Sequence, residues 1–175
     1  MLDGKRIAIL IEEGFGDLEL VEPLRAMKAA EARVVLIGAN SAQSYQNRSG
    51  KRTIAVEMTA DKVKAEDFDA IIIPCGLSLD GMSYYSSVID LVKKMHGLGK
   101  VIAAICYGQQ LLISADIVRG RRLTSSVSIA EDLKNAGADW VDEPVVQDGN
   151  IITSGKVSNL PVFDLAIIKA VRNNS

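Results

Sequence analysis

Short, uninterrupted apolar runs rich in Ile and Val recur along the chain. Runs of this length and composition predict strands that are buried on both faces of a parallel sheet. The runs are residues 6–11 (RIAILI), 33–38 (RVVLIG), 70–73 (AIII) and 100–105 (KVIAAI). Each pair of runs encloses apolar residues at the spacing of one helix face. These are Leu20, Leu24 and Met27 in the first interval, and Val88, Ile89, Val92 and Met95 in the second.

Three further segments complete the predicted fold. Residues 53–58 alternate apolar and polar positions, which predicts an extra strand or a hairpin arm. Residues 145–153 contain Asp148-Gly149 between two apolar runs, which predicts a hairpin. Residues 159–171 predict a closing amphipathic helix. Strands that alternate with helices in this way indicate a three-layer α/β fold, with ligands at the carboxyl ends of the strands.

Length and charge narrow the choice of function. The chain has 175 residues, so we expect one domain over residues 1–175. The net charge is −2 and the basic residues are scattered, so no nucleic-acid partner is expected. No apolar run reaches the length of about 18 residues that a membrane span requires. The first residues lack the small-residue cleavage site of a secretory signal, so we expect a cytoplasmic protein.

The supply of metal-binding and redox-active side chains is small. The chain has two cysteines, Cys75 and Cys106, and one histidine, His96. Two cysteines cannot form a disulfide framework, and one histidine makes a His/Cys zinc site unexpected. We therefore predict no metal and no organic cofactor, and chemistry that depends on few groups.

Cys106 is the first candidate for such chemistry. It stands directly after a predicted buried strand and before the apolar helical residues 111–113, the layout of a nucleophile elbow. A thiol at the start of a helix is more easily ionised. The alternative is a small buried cysteine with no chemical role.

Two other strand ends are predicted to lie near Cys106. Pro74-Cys75-Gly76 follows the strand at 70–73, and the N–H groups of Gly76 and Tyr107 would suit an oxyanion hole. The alternative is an ordinary glycine-containing turn. Glu12, Glu13, Asp17 and Glu19 crowd the first strand end. Most must be solvated, and only one that faces the sheet edge can reach the thiol.

Four separated motifs together carry a family resemblance. They are FGDLELVEP near the start, PCG at 74–76, AICYGQQLLISA at 104–115, and NAGADWVDEPVVQDGNIITSG near the end. In this order they resemble the PfpI family of intracellular proteases and amidases, within the superfamily of the Parkinson disease protein 7 deglycases. The resemblance implies a flavodoxin-like sandwich of the class I glutamine amidotransferase-like type and a dimer or larger ring.

The resemblance also assigns roles to residues. Cys106 matches the family nucleophile, and Glu19 matches the acid that hydrogen-bonds its thiol. Gly76 matches the glycine whose N–H helps form the oxyanion hole. Asp80 stands where protease-like members place a glutamate that reaches a histidine of a neighbouring subunit.

Several positions depart from the family pattern. Tyr107 replaces the histidine that follows the cysteine in protease-like members, and a phenol is a poor base at neutral pH. Gly16 stands where a second acid often sits, and Gly155 replaces an arginine. Cys75 replaces the first glycine of a Gly-Gly pair. It is either a redox partner of Cys106 or a residue that fills a small site.

The combined prediction is a cysteine-dependent hydrolase that acts on a small carbonyl or amide, as an amidase, deglycase or glyoxalase-like enzyme. The missing histidine makes peptidase activity doubtful. Two alternatives stay open: a redox-responsive stress protein that uses Cys106, and a chaperone-like module without efficient turnover. The family resemblance implies self-association whichever of the three applies.

Overall fold

The computed structural model describes residues 1–75 and 85–174. The helices are α1 (Asp17–Ala29), α2 (Ser86–Gly97), α3 (Gln109–Ser114), α4 (Ala130–Asn135) and α5 (Leu160–Asn173). The longer strands are β1 (Arg6–Ile11), β2 (Arg33–Gly38), β6 (Ala70–Ile73), β7 (Val101–Ile105), β10 (Val145–Asp148) and β11 (Ile151–Ser154). The shorter strands are β3 (Ser44–Gln46), β4 (Thr53–Ala55), β5 (Met58–Thr59), β8 (Arg122–Leu123) and β9 (Asp139–Trp140).

The main sheet has the strand order β10-β11-β7-β6-β1-β2-β5. Within the described residues, its pairings are parallel except for the antiparallel β10–β11 hairpin. The four apolar runs of the sequence form β1, β2, β6 and β7, which are the interior of this sheet. The mostly parallel α/β sheet predicted from those runs is confirmed.

Two helical layers cover the sheet, because successive side chains of each strand point to opposite faces. Ile7 and Ile9 of β1 pack with α1 and α5, which contribute Leu20 and Phe163 among others. The other face of the sheet packs against α2, α3 and α4. Helices on both faces give the α/β/α sandwich, and the flavodoxin-like fold class is confirmed.

Residues 53–58 divide between two strands. β4 pairs with β3 as an antiparallel hairpin arm, and β5 extends the edge of the main sheet beside β2. Both predicted alternatives for this segment are therefore present. β4 and β5 are separated by only two residues, and the change of partner falls between them.

The predicted hairpin at 145–153 forms, but its turn lies one residue later than Asp148-Gly149. Asp148 is still paired with Ile151, so the loop consists of Gly149 and Asn150. Gly149 has φ +58°, a left-handed conformation that glycine adopts at little cost. Asp148 stays in the strand and accepts a hydrogen bond of 2.8 Å from the N–H of Arg122.

The topology separates the two ends of β7. Cys106 follows its carboxyl end, whereas the carbonyl of His96 accepts a hydrogen bond from the side chain of Asn150 near its amino end. The N–H of Ile102 donates to the carbonyl of the same Asn150. His96 therefore lies at the opposite edge of the sheet from Cys106. Among the described helices, none has both the length and the apolar character needed to cross a membrane.

We predict that Gly108→Ala destabilises the fold at the junction of β6, β7 and α3. A Cβ atom at Gly108 would lie 2.6 Å from the carbonyl oxygen of Ile73 and 3.1 Å from that of Ile105. Backbone atoms cannot move aside as a flexible side chain can, so we expect a loss of about 1–3 kcal/mol in the free energy of unfolding.

Gly97→Ala is the matched control. A Cβ atom there meets no atom within 4 Å, and the residue is the last of α2. Both variants are compared with the unmodified protein by denaturant unfolding. Equal unfolding free energies for Gly108→Ala and Gly97→Ala would show that the junction is not tightly packed.

Candidate active site

The backbone at Cys106 makes a sharp turn between β7 and α3. Cys106 has φ +64°, a left-handed conformation that costs a residue with a side chain roughly 1–2 kcal/mol. Hydrogen bonds on both sides hold the turn. The N–H of Cys106 donates to the carbonyl of Ser154 at 2.9 Å, and the N–H of Ser126 donates to the carbonyl of Cys106 at 3.0 Å. The predicted strand-to-helix elbow is present.

Gln109 fixes the same turn from inside the protein. Its side chain is fully buried, and its amide nitrogen lies 3.3 Å from the carbonyl oxygen of Ala104, 2.9 Å from that of Thr124 and 2.8 Å from that of Ser154. These carbonyls belong to three segments around the elbow. One amide group therefore ties β7 and β11 to the segment that follows β8.

Cys75 lies beside Cys106. Ile73 pairs with Ala104 in the β6–β7 register, and continuing that register by two residues places Cys75 opposite Cys106. The two thiols are hydrogen-bonded to each other, and in the described part of the chain neither cysteine forms a disulfide. The carbonyl of Cys75 also accepts a hydrogen bond of 3.4 Å from the N–H of Gly16, which brings the segment after β1 to the same place.

The hydrogen bond between the thiols controls their ionisation. It lowers the pKa of Cys75 to about 7, and the N–H of Tyr107 and the charge of Arg48 contribute to this effect against the opposing burial. The same hydrogen bond raises the pKa of Cys106, and burial and the charges of Cys75 and Glu19 add to the increase. The pair therefore loses one proton near neutral pH and keeps the other, which Cys106 shares with Cys75.

Glu19 acts on both thiols through its charge. Its carboxylate raises the pKa of Cys75 and of Cys106. The carboxylate lies directly over Gly16, where a Cβ atom would be 2.7 Å from the carboxyl carbon of Glu19. The glycine at this family position therefore leaves room for Glu19. Among the groups that shift the pKa of Cys106, Cys75 and the Tyr107 N–H act through hydrogen bonds, whereas Glu19 acts through its charge.

Tyr107 and Cys106 face opposite layers of the sandwich. Cys106 packs against the core under α1 and α5, whereas Tyr107 packs against the core under α2, α3 and α4. The Tyr107 hydroxyl lies 3.3 Å from the hydroxyl of Ser128. The phenol is therefore engaged away from the thiols, while the Tyr107 N–H points toward them.

Four further residues that the sequence analysis considered are either outside the described residues or in contact with another part of the chain. Gly76 and Asp80 lie outside the described residues. Glu13 accepts a hydrogen bond of 3.0 Å from the N–H of Gln46, and Asp17 lies 3.3 Å from the guanidinium of Arg52. These two carboxylates hold the β3–β4 hairpin rather than the thiols.

Gly155 has a backbone reason to lack a side chain, because a Cβ atom there would collide with the carbonyl oxygen of Ser125. The arginine that is typical of this family position cannot fit unless this backbone shifts. Within residues 1–75 and 85–174, no group of three His, Cys, Asp or Glu side chains is arranged to hold a metal ion.

Two residues that contribute to the site are not identified by the sequence patterns. Arg48 stands in the turn of the β3–β4 hairpin, far from Cys75 in sequence, and it reaches the site because its N–H donates to the carbonyl of Phe15 at 3.1 Å. No local sequence pattern identifies Arg48 as part of the site. Gln109 is no better marked, since Gln110 and Ser114 are also polar residues of the same short helix.

We predict that Glu19→Gln makes the thiol pair ionise at a lower pH. Removing the negative charge removes an effect that raises the pKa of both thiols. The measurement is the rate of alkylation by iodoacetamide as a function of pH, with mass spectrometry to separate the two cysteines. The midpoint of the profile should shift downward.

Glu22→Gln is the control, because Glu22 lies on the same helix and contacts Arg25 at 3.4 Å rather than the cysteines. We expect its alkylation profile to match the unmodified protein. An upward shift in Glu19→Gln would contradict the electrostatic account, since it would mean that Glu19 donates a proton to the thiolate.

Comparisons with known proteins agree with this geometry. Residues 5–170 match the model of the DJ-1/PfpI family. A deglycase of Thermococcus kodakarensis is 36% identical over 95% of this chain and 99% of its own length. General stress protein 18 of Bacillus subtilis is 35% identical over 92% of this chain and 94% of its own.

A solved structure from Anabaena variabilis shares the fold with a TM-score of 0.92 and 36% identity. It is a two-domain protein with DJ-1/ThiJ/PfpI-like and ferritin-like domains, and the match covers 96% of this chain and 48% of that protein. This chain thus spans about half of the Anabaena protein and nearly the full length of the two relatives. The chain belongs to the DJ-1/PfpI family.

Proposed function

We propose that this protein is a cysteine-dependent hydrolase of the DJ-1/PfpI family that acts on a small carbonyl or amide substrate, with Cys106 as the nucleophile. The observation that carries the proposal is the strained elbow: Cys106 has φ +64° and presents a half-buried thiol at the carboxyl edge of the sheet. Strain of this kind persists only where the surroundings enforce it, and it is concentrated at functional sites.

Cys75 supplies the base that the absent histidine would provide. Cys106 is hydrogen-bonded to Cys75, whose pKa of about 7 makes it a proton acceptor at neutral pH. In the proposed first step, the proton of Cys106 moves to Cys75 as the Cys106 sulfur attacks the substrate carbonyl carbon. The carbonyl oxygen becomes an oxyanion, which the N–H of Tyr107 stabilises.

The family pattern supports a second N–H donor for the proposed oxyanion hole. Gly76 is the family position for a second N–H donor, and it follows Cys75 directly in the sequence. A methylglyoxal hemithioacetal reaches this step as its isomer, the lactoyl thioester, after Cys75 moves the proton of the hemithioacetal carbon to the neighbouring ketone carbon and the hydroxyl proton passes to the ketone oxygen. When the tetrahedral intermediate on the thioester or amide carbonyl collapses, Cys75 returns its proton to the leaving group. Water then releases the product from Cys106. Glu19 raises the pKa of both thiols through its charge and does not take a proton in this scheme.

A small, activated substrate fits this site better than a peptide bond does. A peptide amide has a strongly basic leaving group that needs an effective proton donor, whereas adducts of reactive carbonyls decompose more readily. The Tyr107 phenol faces the other layer and contacts Ser128, so it does not replace the histidine of protease-like members. The name of the Thermococcus relative, a deglycase, supports carbonyl adducts as the substrate class.

A second candidate is a redox-responsive stress protein. The hydrogen-bonded thiol pair favours it, and so does the name of the Bacillus relative, general stress protein 18. Assembly into a dimer or larger ring, an intersubunit role for Asp80, and a cytoplasmic location stay predictions from the sequence.

The test uses the fully reduced protein and the hemithioacetal that forms between methylglyoxal and N-acetylcysteine. Its decay is followed by absorbance, and the product is identified by NMR. We expect turnover in the unmodified protein and a loss of roughly a hundredfold or more in Cys106→Ser, because a hydroxyl is a far weaker nucleophile than a thiol. Cys75→Ser should lower the rate and move its pH profile upward.

A chromogenic peptide anilide is the substrate control. We expect its hydrolysis by the unmodified protein to be no faster than by Cys106→Ser. Because hemithioacetals dissociate, the initial rate is also measured at fixed free methylglyoxal and increasing adduct, which separates adduct hydrolysis from consumption of the free aldehyde. Equal hemithioacetal decay in the unmodified protein and in Cys106→Ser would refute the hydrolase proposal.

A further inference from the structure

The two cysteines lie at a separation that suits a disulfide. When the β6–β7 register is continued two residues past its last observed pair, Ile73 and Ala104, Cys75 falls opposite Cys106, and neighbouring strands lie about 4.8 Å apart. Disulfides join Cα atoms at about 4.4–6.8 Å. The thiols are already in contact through their hydrogen bond, so a bond between them requires little movement of the backbone.

The two thiols differ in access to solvent. Cys75 has only 2% of its surface exposed, whereas Cys106 is half-buried. An oxidant from solution therefore reaches Cys106 first. Cys75 is shielded from the oxidant but lies next to the sulfur that the oxidant modifies, which is the arrangement of an attacking and a resolving cysteine.

The charges around the pair favour a thiolate within it. The Tyr107 N–H points toward both sulfurs, and the positive charge of Arg48 lies near Cys75. The charge of Glu19 opposes both effects, so the thiolate forms first on Cys75, and a proton passes from Cys106 to Cys75 along the existing hydrogen bond when the Cys106 sulfur reacts. Thiolate is the form that reacts with peroxides and with sulfenic acids.

We propose that Cys75 and Cys106 form a reversible redox site, in which a hydroperoxide oxidises Cys106 to a sulfenic acid and Cys75 converts that acid to an intramolecular disulfide. This proposal goes beyond the hydrolase function and does not depend on it. It also gives the thiol of Cys75 a chemical role, which a residue that only fills a small site would not have.

Both steps balance. The Cys106 sulfur attacks one peroxide oxygen as the Cys106 thiol proton moves to Cys75. The O–O bond breaks, and the departing oxygen takes a proton from water to give an alcohol or water. The Cys75 sulfur then attacks the Cys106 sulfur; the S–O bond breaks, and the hydroxyl leaves as water with the Cys75 proton. Two thiols and one hydroperoxide give one disulfide, one alcohol and one water. A dithiol restores both thiols by exchange.

The disulfide has a protective consequence. Without a nearby thiol, a sulfenic acid is oxidised further to a sulfinic acid, which dithiols do not reduce. A disulfide with Cys75 diverts Cys106 from that path. It also removes the nucleophile and its proton acceptor together, so an oxidised chain is inactive as a hydrolase until it is reduced.

The test treats the reduced, full-length protein with a small excess of cumene hydroperoxide, with and without dimedone, which traps sulfenic acids. Intact mass and peptide mapping identify the products in the unmodified protein, Cys75→Ser, Cys75→Ala and Cys106→Ser. Thermal unfolding of each variant checks that it is folded. The readout is mass alone, so it is independent of hydrolase turnover.

We expect the unmodified protein to lose the mass of two hydrogen atoms, to yield one peptide pair that joins Cys75 to Cys106, and to recover fully with dithiothreitol. Dimedone labelling should be at least about tenfold greater in both Cys75 variants, which should then gain two oxygen atoms that dithiothreitol does not remove. Cys106→Ser should stay unmodified over the same time.

Three outcomes would overturn the proposal. One is equal dimedone labelling and equal oxygen gain in the unmodified protein and the Cys75 variants. Another is a disulfide that joins two chains instead of two residues of one chain. The third is oxidation of Cys75 in Cys106→Ser at the rate seen for Cys106. Because the second is judged on the unmodified protein alone, a poorly folded variant does not rescue the proposal.

Discussion

The adjacency of β6 and β7 is the constraint on which the site depends. These parallel strands end at the same edge, and their register places Cys75 opposite Cys106. Two thiols in hydrogen-bond contact cannot both ionise at neutral pH, because the second charge is repelled by the first. The pair therefore behaves as one acid with a shared proton, and both the proposed hydrolysis and the proposed oxidation use that proton.

The surrounding fold keeps the pair in place at a conformational cost. The left-handed backbone of Cys106 is held by Ser154 and Ser126, and the buried amide of Gln109 joins the segments that carry these contacts. Gly108 permits β6 to pass within van der Waals distance of the elbow. Local strain at the reactive residue is thus compensated by hydrogen bonds and close packing around it, a common arrangement at functional sites.

Much of the fold follows from the sequence, because its central strands are uninterrupted apolar runs and the helices between them repeat apolar residues at helical spacing. Residues 6–11 and 33–38 form strands with the predicted bounds, and the closing helix begins within one residue of its predicted start. The short strands β8 and β9 were not predicted, since two residues are too few to show a period. The hairpin turn shifts by one residue because Asp148 is bound by Arg122, a contact that no local pattern reveals.

The site is predictable only where its residues lie in a recognisable motif. Cys106 stands out by its place between strand and helix, and Glu19 and Tyr107 by the family resemblance. The sequence leaves two interpretations of Cys75, and the hydrogen bond to Cys106 distinguishes a paired thiol from a space-filling one only once the register is known. Arg48 comes from a hairpin that packs against the loop after β1, so its place depends on tertiary contacts.

The shared proton is tested most directly by counting thiolates against pH. Ultraviolet absorbance of the reduced protein, with the Cys75→Ser/Cys106→Ser double variant subtracted to remove the tyrosines, gives the number of thiolates per chain. We predict one thiolate that appears near pH 7 and a second that stays protonated well above the ordinary cysteine pKa. Two thiolates that appear together at the ordinary cysteine pKa of about 8.5 would contradict the paired site.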